Sequence, residues 1–159
     1  MPFSIALQSI KNKLPAMRPK LKIFPLEELN KLSKNTILEV LDIRITGVGE
    51  DYIEATMPVD KRTHQPYGIL HGGASVVLAE SLGSIAAVLT IDTEKFQCMG
   101  IEINANHVKA VKSGLVTGRA TPIHVGRTTQ VWNIEIRNET GDLVCISRLT
   151  MAVVPMVTK

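Results

Sequence analysis

Between Gly72 and Ile91 nearly every position is apolar or small, and Glu80 is the one residue there that carries a charge. Ala and Leu are frequent, proline is absent, and the polar run Asp92–Lys95 follows. The stretch predicts one long helix over Gly72–Leu89. Upstream, Ile37, Glu39, Leu41, Ile43 and Ile45 alternate with Leu38, Val40, Asp42, Arg44 and Thr46. That period of two predicts a strand over Thr36–Val48. Gly49-Glu50-Asp51 signals a turn, and Tyr52–Val59 is the expected hairpin partner. Asp60–Leu70, with Pro66 and Gly68, reads as a loop. Four more strands are expected at Phe96–Lys109, Leu115–Thr121, Thr128–Asn138 and Leu143–Val154. Turn signals at Ser113-Gly114, Pro122, Gly126 and Asn138–Gly141 separate them. Pro25 opens a short helix, Leu26–Leu32, with Glu27 and Glu28 in the turn where acids suit the dipole.

The predicted order is helix, two strands, long helix, four strands. An α+β fold satisfies it, with an antiparallel sheet packed around one central helix. Sequential βαβ alternation is missing, which argues against a doubly wound nucleotide-binding fold. The glycines also lack the spacing of a dinucleotide fingerprint or a P-loop. At 159 residues the chain fits one domain. Trp132 shares a strand face with Ile134 and Ile136, the position of a core residue rather than a substrate platform.

Composition refines this picture in three places. Aromatic residues make up only 4% of the chain, which offers few stacking platforms for single-stranded nucleic acid. The first 26 residues hold Lys11, Lys13, Arg18, Lys20 and Lys22 and no acid, so the basic balance comes from an N-terminal arm. Residues 1–24 are read as that arm and 25–159 as the folded domain. Phe3, Ile5, Leu7, Ile10 and Leu14 can line one side of a short helix, although Pro15, Pro19 and Pro25 break the region up. The arm is either a partly ordered tail or a docking or membrane-surface helix. Cys98 and Cys145 have no metal-ligand spacing, and free thiols in a reducing compartment are expected. No metal site is expected. The long uncharged runs around Glu80 are interrupted by Pro66, histidines and glycines and do not read as a membrane span. Apolar residues precede the basic ones at the N-terminus, the reverse of a secretory signal, so a cytoplasmic protein without firm membrane association is expected.

A lone carboxylate on an apolar helix is costly to keep charged. Glu80 either faces a solvent-filled gap or pairs, shifts its pKa, or does chemistry. The helix begins at His71-Gly72-Gly73, where unpaired N–H groups and the positive dipole end can hold a developing oxyanion. The same tripeptide also suits a plain glycine-rich helix start. His71 reads as an orienting hydrogen-bond partner or a structural histidine. Gln65 reads as a site amide or a surface residue. Ser84, one turn beyond Glu80, either holds a water beside the carboxylate or bonds its own helix backbone.

Gln65-Pro66-Tyr67-Gly68-Ile69-Leu70-His71-Gly72-Gly73-Ala74-Ser75, together with Glu80 and Ser84, resembles the hotdog-fold acyl-CoA thioesterases. The bacterial 1,4-dihydroxy-2-naphthoyl-CoA hydrolases of menaquinone synthesis, and one type of 4-hydroxybenzoyl-CoA thioesterase, are the nearest in likeness. The resemblance continues through Glu102-Ile103-Asn104-Ala105-Asn106-His107 and Gln130-Val131-Trp132, over roughly residues 36–153. It implies a hotdog fold and hydrolysis of an aromatic acyl-CoA thioester, without a cofactor. It implies Glu80 as nucleophile or general base, the Gly72 N–H as oxyanion donor, and His71 and Gln65 as residues that orient and polarise the thioester. Ser84 matches the position that steadies the water or the carboxylate. Sites shared across a homodimer, and dimers paired into a homotetramer, are also implied. His107, Lys109 and Arg127 are candidates for contacts with CoA phosphates; solvated surface cations are the alternative for Lys109 and Arg127.

Two other functions are compatible with parts of the pattern. A hotdog dehydratase or hydratase would set a histidine and an acid across one acyl chain, whereas here His71 precedes the helix and Glu80 lies on it. A non-catalytic acyl-CoA sensor would need an output module, and no helix-turn-helix or second domain is evident.

Overall fold

The computed structural model describes residues 20–157. In chain order its elements are α1 (Leu26–Lys31), α2 (Ile37–Val40), β1 (Arg44–Gly49), β2 (Tyr52–Pro58), α3 (Gly72–Val88), β3 (Phe96–His107), β4 (Leu115–Val125), β5 (Thr129–Asn138) and β6 (Leu143–Pro155). The six strands form one antiparallel sheet in the order β1-β2-β4-β5-β6-β3. This is the hotdog arrangement, with α3 laid across the sheet and in contact with β2 through β6.

Small residues let the helix lie close. A Cβ on Gly83 would stand 2.5 Å from Leu149 Cδ2 on β6, and one on Gly118 of β4 would stand 2.7 Å from Leu82 Cδ1. Leu78, Leu82, Ala79 and Ala86 of α3 are fully buried against Ile53, Val116, Ile134 and Leu149 of the strands. One polar chain crosses this core. Trp132 Nε1 donates to Gln130 Oε1 (3.1 Å), Gln130 Nε2 donates to Thr90 Oγ1 (2.9 Å), and Thr90 Oγ1 donates to the Ala87 carbonyl (2.8 Å). Each buried group is satisfied, so the chain ties β5 to the end of α3 without leaving an orphan.

Two expectations from the sequence are corrected. The strand expected over Thr36–Val48 begins only at Arg44, and Ile37–Val40 forms a single helical turn. Thr36 caps that turn by accepting the Leu38 N–H at Oγ1 (3.2 Å). Leu38 and Leu41, three apart, then face the core, while Asp42 takes a positive φ of 53°. The alternation was compatible with a helical turn because three-apart leucines also share a helix face. The second correction is Pro122, which does not end its strand. β4 continues to Val125, past the last pairing with β2 at Ala120, and shifts register between Pro122 and His124. A proline is tolerated there because that side of β4 lacks a neighbour and the strand bulges.

Leu21 belongs to the core and is 3% exposed. The Leu21 N–H donates to the Glu50 carbonyl (2.8 Å), and the Lys22 N–H donates to the Leu89 carbonyl at the C-terminal end of α3 (2.9 Å). Lys22 Nζ reaches the Ile91 carbonyl (2.7 Å), where a cation suits the helix dipole. The apolar positions Phe3 to Leu14 lie outside the described residues.

Candidate active site

The loop into α3 is a tight turn. The Gly68 N–H donates to the Gln65 carbonyl (2.9 Å), the Gln65 N–H donates to the Ile69 carbonyl (2.9 Å), and Gly68 takes a φ of 70°. This fixes Gln65 beside the start of α3. His71 is the N-cap, and its Nδ1 accepts the Gly73 N–H (2.8 Å). That bond places the proton of a neutral imidazole on Nε2, leaving Nε2–H on the exposed edge as a donor. The His71 carbonyl takes the N–H groups of Ala74 and Ser75. The Gly72 N–H has no acceptor among the described residues. It is the one first-turn donor left for an external oxygen.

His107, the last residue of β3, presses against that point. A Cβ on Gly72 would lie 2.7 Å from His107 Nε2. Gln65, Gly72, Ser75, His107 and Lys109 line a groove of about 390 Å³. A larger groove of about 820 Å³ lies elsewhere, between α1, α2 and β1. Of its cations, Lys31, Arg44 and Arg62 pair with Glu27, Asp42 and Asp60, while Lys34 forms no ion pair among the described residues.

Glu80 stands two turns further along α3, half-buried, with no ion pair or hydrogen bond among the described residues. Its Oε1 lies 3.0 Å from where a Cβ on Gly100 of β3 would be. Ser84 Oγ donates to Met151 Sδ (3.8 Å), and Met151 is the cross-strand partner of Gly100. The two helix side chains therefore stand over adjacent positions of the β3–β6 ladder. No signal in the sequence singled out Gly100, because a glycine inside an expected strand carries no chemistry of its own.

Of the phosphate-binding candidates, His107 and Lys109 share the groove beside Gly72, and Arg127 does not join them. Lys109 follows the C-terminal end of β3, and its Nζ is 2.6 Å from Asp142 Oδ2. That lysine holds the Asp142 carboxyl down at about 2, with hydrogen bonds from Thr140 and Asn138 adding to the effect. Arg127 lies in the β4–β5 turn, next to Thr128, whose carbonyl accepts the Val153 N–H. Val153 pairs with Cys98 near the N-terminal end of β3. Within one chain, Arg127 and Lys109 thus sit at opposite ends of that strand.

Both cysteines are free, and burial pushes their thiols up, which makes them poor nucleophiles. Among the described residues, no group of three His, Cys, Asp or Glu is placed to hold a metal ion. No helix among them is long and apolar enough to cross a membrane.

The arrangement is a helix start with a free donor, a histidine against it, and a lone carboxylate further down the same helix. Residues 67–145 match the model of the thioesterase superfamily. The chain is 53% identical over 128 residues to the 1,4-dihydroxy-2-naphthoyl-CoA hydrolase of Escherichia coli, covering 80% of this chain and 93% of that one. It is 54% identical over 129 residues to the proofreading thioesterase EntH of Cronobacter turicensis, with the same two coverages, 80% and 93%. The crystal structure of a mutant thioesterase from Pseudomonas aeruginosa superposes with a TM-score of 0.85 at 51% identity, covering 87% of this chain and 99% of that one.

Proposed function

Since the chain belongs to the thioesterase superfamily and is a thioester hydrolase, we propose that it cleaves an aromatic acyl-CoA of the 1,4-dihydroxy-2-naphthoyl type in the cytoplasm, with Glu80 as nucleophile or general base. The observation that carries this reading is the occurrence, on one helix, of a Glu80 carboxylate and a Gly72 N–H that both lack a partner among the described residues. Thioester hydrolysis needs an activated nucleophile or water and a donor for the developing oxyanion. The donor is Gly72, helped by the outward Nε2–H of His71 and the Gln65 amide.

The two halves lie eight residues apart, about 12 Å along a helix axis. One carbonyl carbon cannot reach both in a single chain. A second copy resolves this. Among the described residues β3 is an edge strand that pairs only with β6, and Ile101 on it is 62% exposed. Glu80 stands over Gly100, and Gly72 stands over His107. Antiparallel pairing of two β3 edges about a two-fold axis between Ile103 and Asn104 sets Gly100 of one copy opposite His107 of the other. The Glu80 of each copy then faces the Gly72 of its neighbour. In this register Cys98 faces position 109, so Arg127 of one copy approaches Lys109 of the other. His107, Lys109 and Arg127 thereby form one phosphate-binding patch only across the interface.

In this mechanism the thioester carbonyl oxygen accepts the Gly72 N–H while Glu80 either attacks the carbonyl carbon, forming an anhydride that water then hydrolyses to the free acid and the Glu80 carboxylate, or draws a proton from a water that attacks it directly. CoA leaves as the thiolate, and no cofactor takes part. Following thiol release from a panel of aryl- and fatty-acyl-CoAs tests the substrate. Preference for aryl thioesters by at least tenfold in kcat/KM supports the reading; preference for long aliphatic chains overturns it.

A further inference from the structure

Gly100 has no backbone reason to be glycine. Its φ lies outside the left-handed region, unlike Gly68, Gly114 and Gly141. A glycine inside a strand weakens it, because the chain loses more freedom and gains no side-chain packing. Something must offset that cost. The contact that a side chain here would disturb is Glu80 Oε1, 3.0 Å from the missing Cβ. The strand is also irregular at this point. Pairing with β6 runs from Gly100↔Met151 to Glu102↔Thr150, so Ile101 is an extra residue without a partner. Bulges of this kind bend a strand and change where side chains aim.

Resting on the reading of Glu80 as the reacting carboxylate, we infer that Gly100 and its bulge are a positioning device for Glu80. The bare Cα of Gly100 lets the carboxylate lie down on β3, facing the strand edge and the neighbouring copy's helix start. A methyl group at residue 100 pushes Oε1 away by a few tenths of an ångström or more and turns the carboxylate out of line. Misplacements approaching 1 Å at a reacting group cost up to ~10²-fold in rate. The fold tolerates the change, because what must yield is the far end of one flexible side chain.

Gly100→Ala, compared in the parent and in a Glu80→Asp background, tests this. Shortening the side chain by one methylene withdraws the carboxylate from Gly100 and removes the clash. Gly100→Ala should lower the parent's kcat by ~10- to 10²-fold, with KM changed less than threefold on the same rough scale, and with the melting temperature unchanged or raised. In Glu80→Asp the same substitution should change the residual kcat by less than about twofold. Three results overturn the inference: near-parental kcat in Gly100→Ala, equal losses in the two backgrounds, or loss of the parent's assembly or melting temperature, which makes Gly100 a structural residue. Parental activity in Glu80→Gln is a different result. It removes the reading of Glu80 itself, whatever Gly100→Ala does.

Discussion

The His107 imidazole fills the space that a side chain on Gly72 would need, with Nε2 2.7 Å from the position of the missing Cβ. The last residue of β3 and the first residue of α3 are therefore one unit. Gly72→Ala forces the exposed His107 ring to swing away and narrows the approach to the Gly72 N–H. Little buried surface is lost, so the melting temperature should move by only a few degrees. Losing access to one oxyanion donor costs ~10²–10³ in kcat, and a drop of about that size is expected. A Gly72→Ala protein that hydrolyses aryl-CoA at the parent's rate would show that the oxyanion is held elsewhere.

Chelation should leave the enzyme working. The donor set is an amide N–H, a histidine, a glutamine and a carboxylate, and the described residues offer no three-ligand cluster for a metal. Full activity after prolonged EDTA treatment and buffer exchange is the expected outcome. Loss of activity that zinc restores would remove the mechanism.

The arm divides at Lys20. Leu21 is buried in the core, and Lys22 bonds the Leu89 and Ile91 carbonyls. Deleting residues 1–19 should leave kcat for a soluble acyl-CoA within about twofold, since the site begins at Gln65. Leu21→Ala should instead cost stability, about 2–5 kcal/mol for a buried leucine, with kcat unaffected in the folded fraction. Denaturant unfolding and steady-state rates on the two variants separate the effects.

Much of this architecture is legible in the pattern of residues. The single charge on a proline-free apolar run marks both α3 and the carboxylate proposed to react, and Gln65, Gly72 and His107 line one groove. Other features follow only from tertiary context. Thr36–Val40 fits a strand and a helical turn equally well until the Thr36 cap and the core beneath Leu38 and Leu41 decide it. Pro122 stays in β4 because β2 ends at Ile53↔Ala120, a fact of topology. Gly100 became visible only through the carboxylate above it. Arg127 and Lys109 are both candidates for CoA phosphates in the sequence, yet one chain holds them at opposite ends of β3.

Acid should weaken the Lys109–Asp142 contact. The folded Asp142 titrates at about 2 because Lys109, Thr140 and Asn138 all donate to it, whereas an unfolded Asp titrates near ~3.9. A depressed carboxylate contributes stability above the unfolded value and loses it as pH falls through the folded one. The contribution is therefore full above about pH 5, falls as pH drops through the two values, and is gone near pH 1. The groups are exposed, so the effect is small. Melting curves of the parent and Asp142→Asn should differ at pH 6 and converge only toward about pH 1; a gap of undiminished size at that pH would assign the difference to something other than this titration.

Glu80→Gln is the central test. The amide keeps the size and shape of the side chain but lacks a basic, nucleophilic oxygen. Loss of a positioned acid–base group costs ~10²–10⁴ in kcat, and that range is expected with little change in KM. Stability should hold or rise, because a neutral amide is cheaper to half-bury than an unpaired carboxylate. Light scattering should show a dimer or tetramer for parent and variant alike, since the proposed site takes Gly72 from one copy and Glu80 from its neighbour. That sharing has its own signature. A mixed dimer of one Glu80→Gln chain and one Gly72→Ala chain holds one site with both changes and one site with neither. Equal mixing of the two nearly inactive proteins, after subunit exchange, should give 50% mixed dimers by random pairing. Since each mixed dimer keeps one of its two sites intact, about a quarter of the parent activity should return. If the mixture stays as inactive as its components while exchange is verified by differently labelled chains, Gly72 and Glu80 act within one chain and the shared site is excluded.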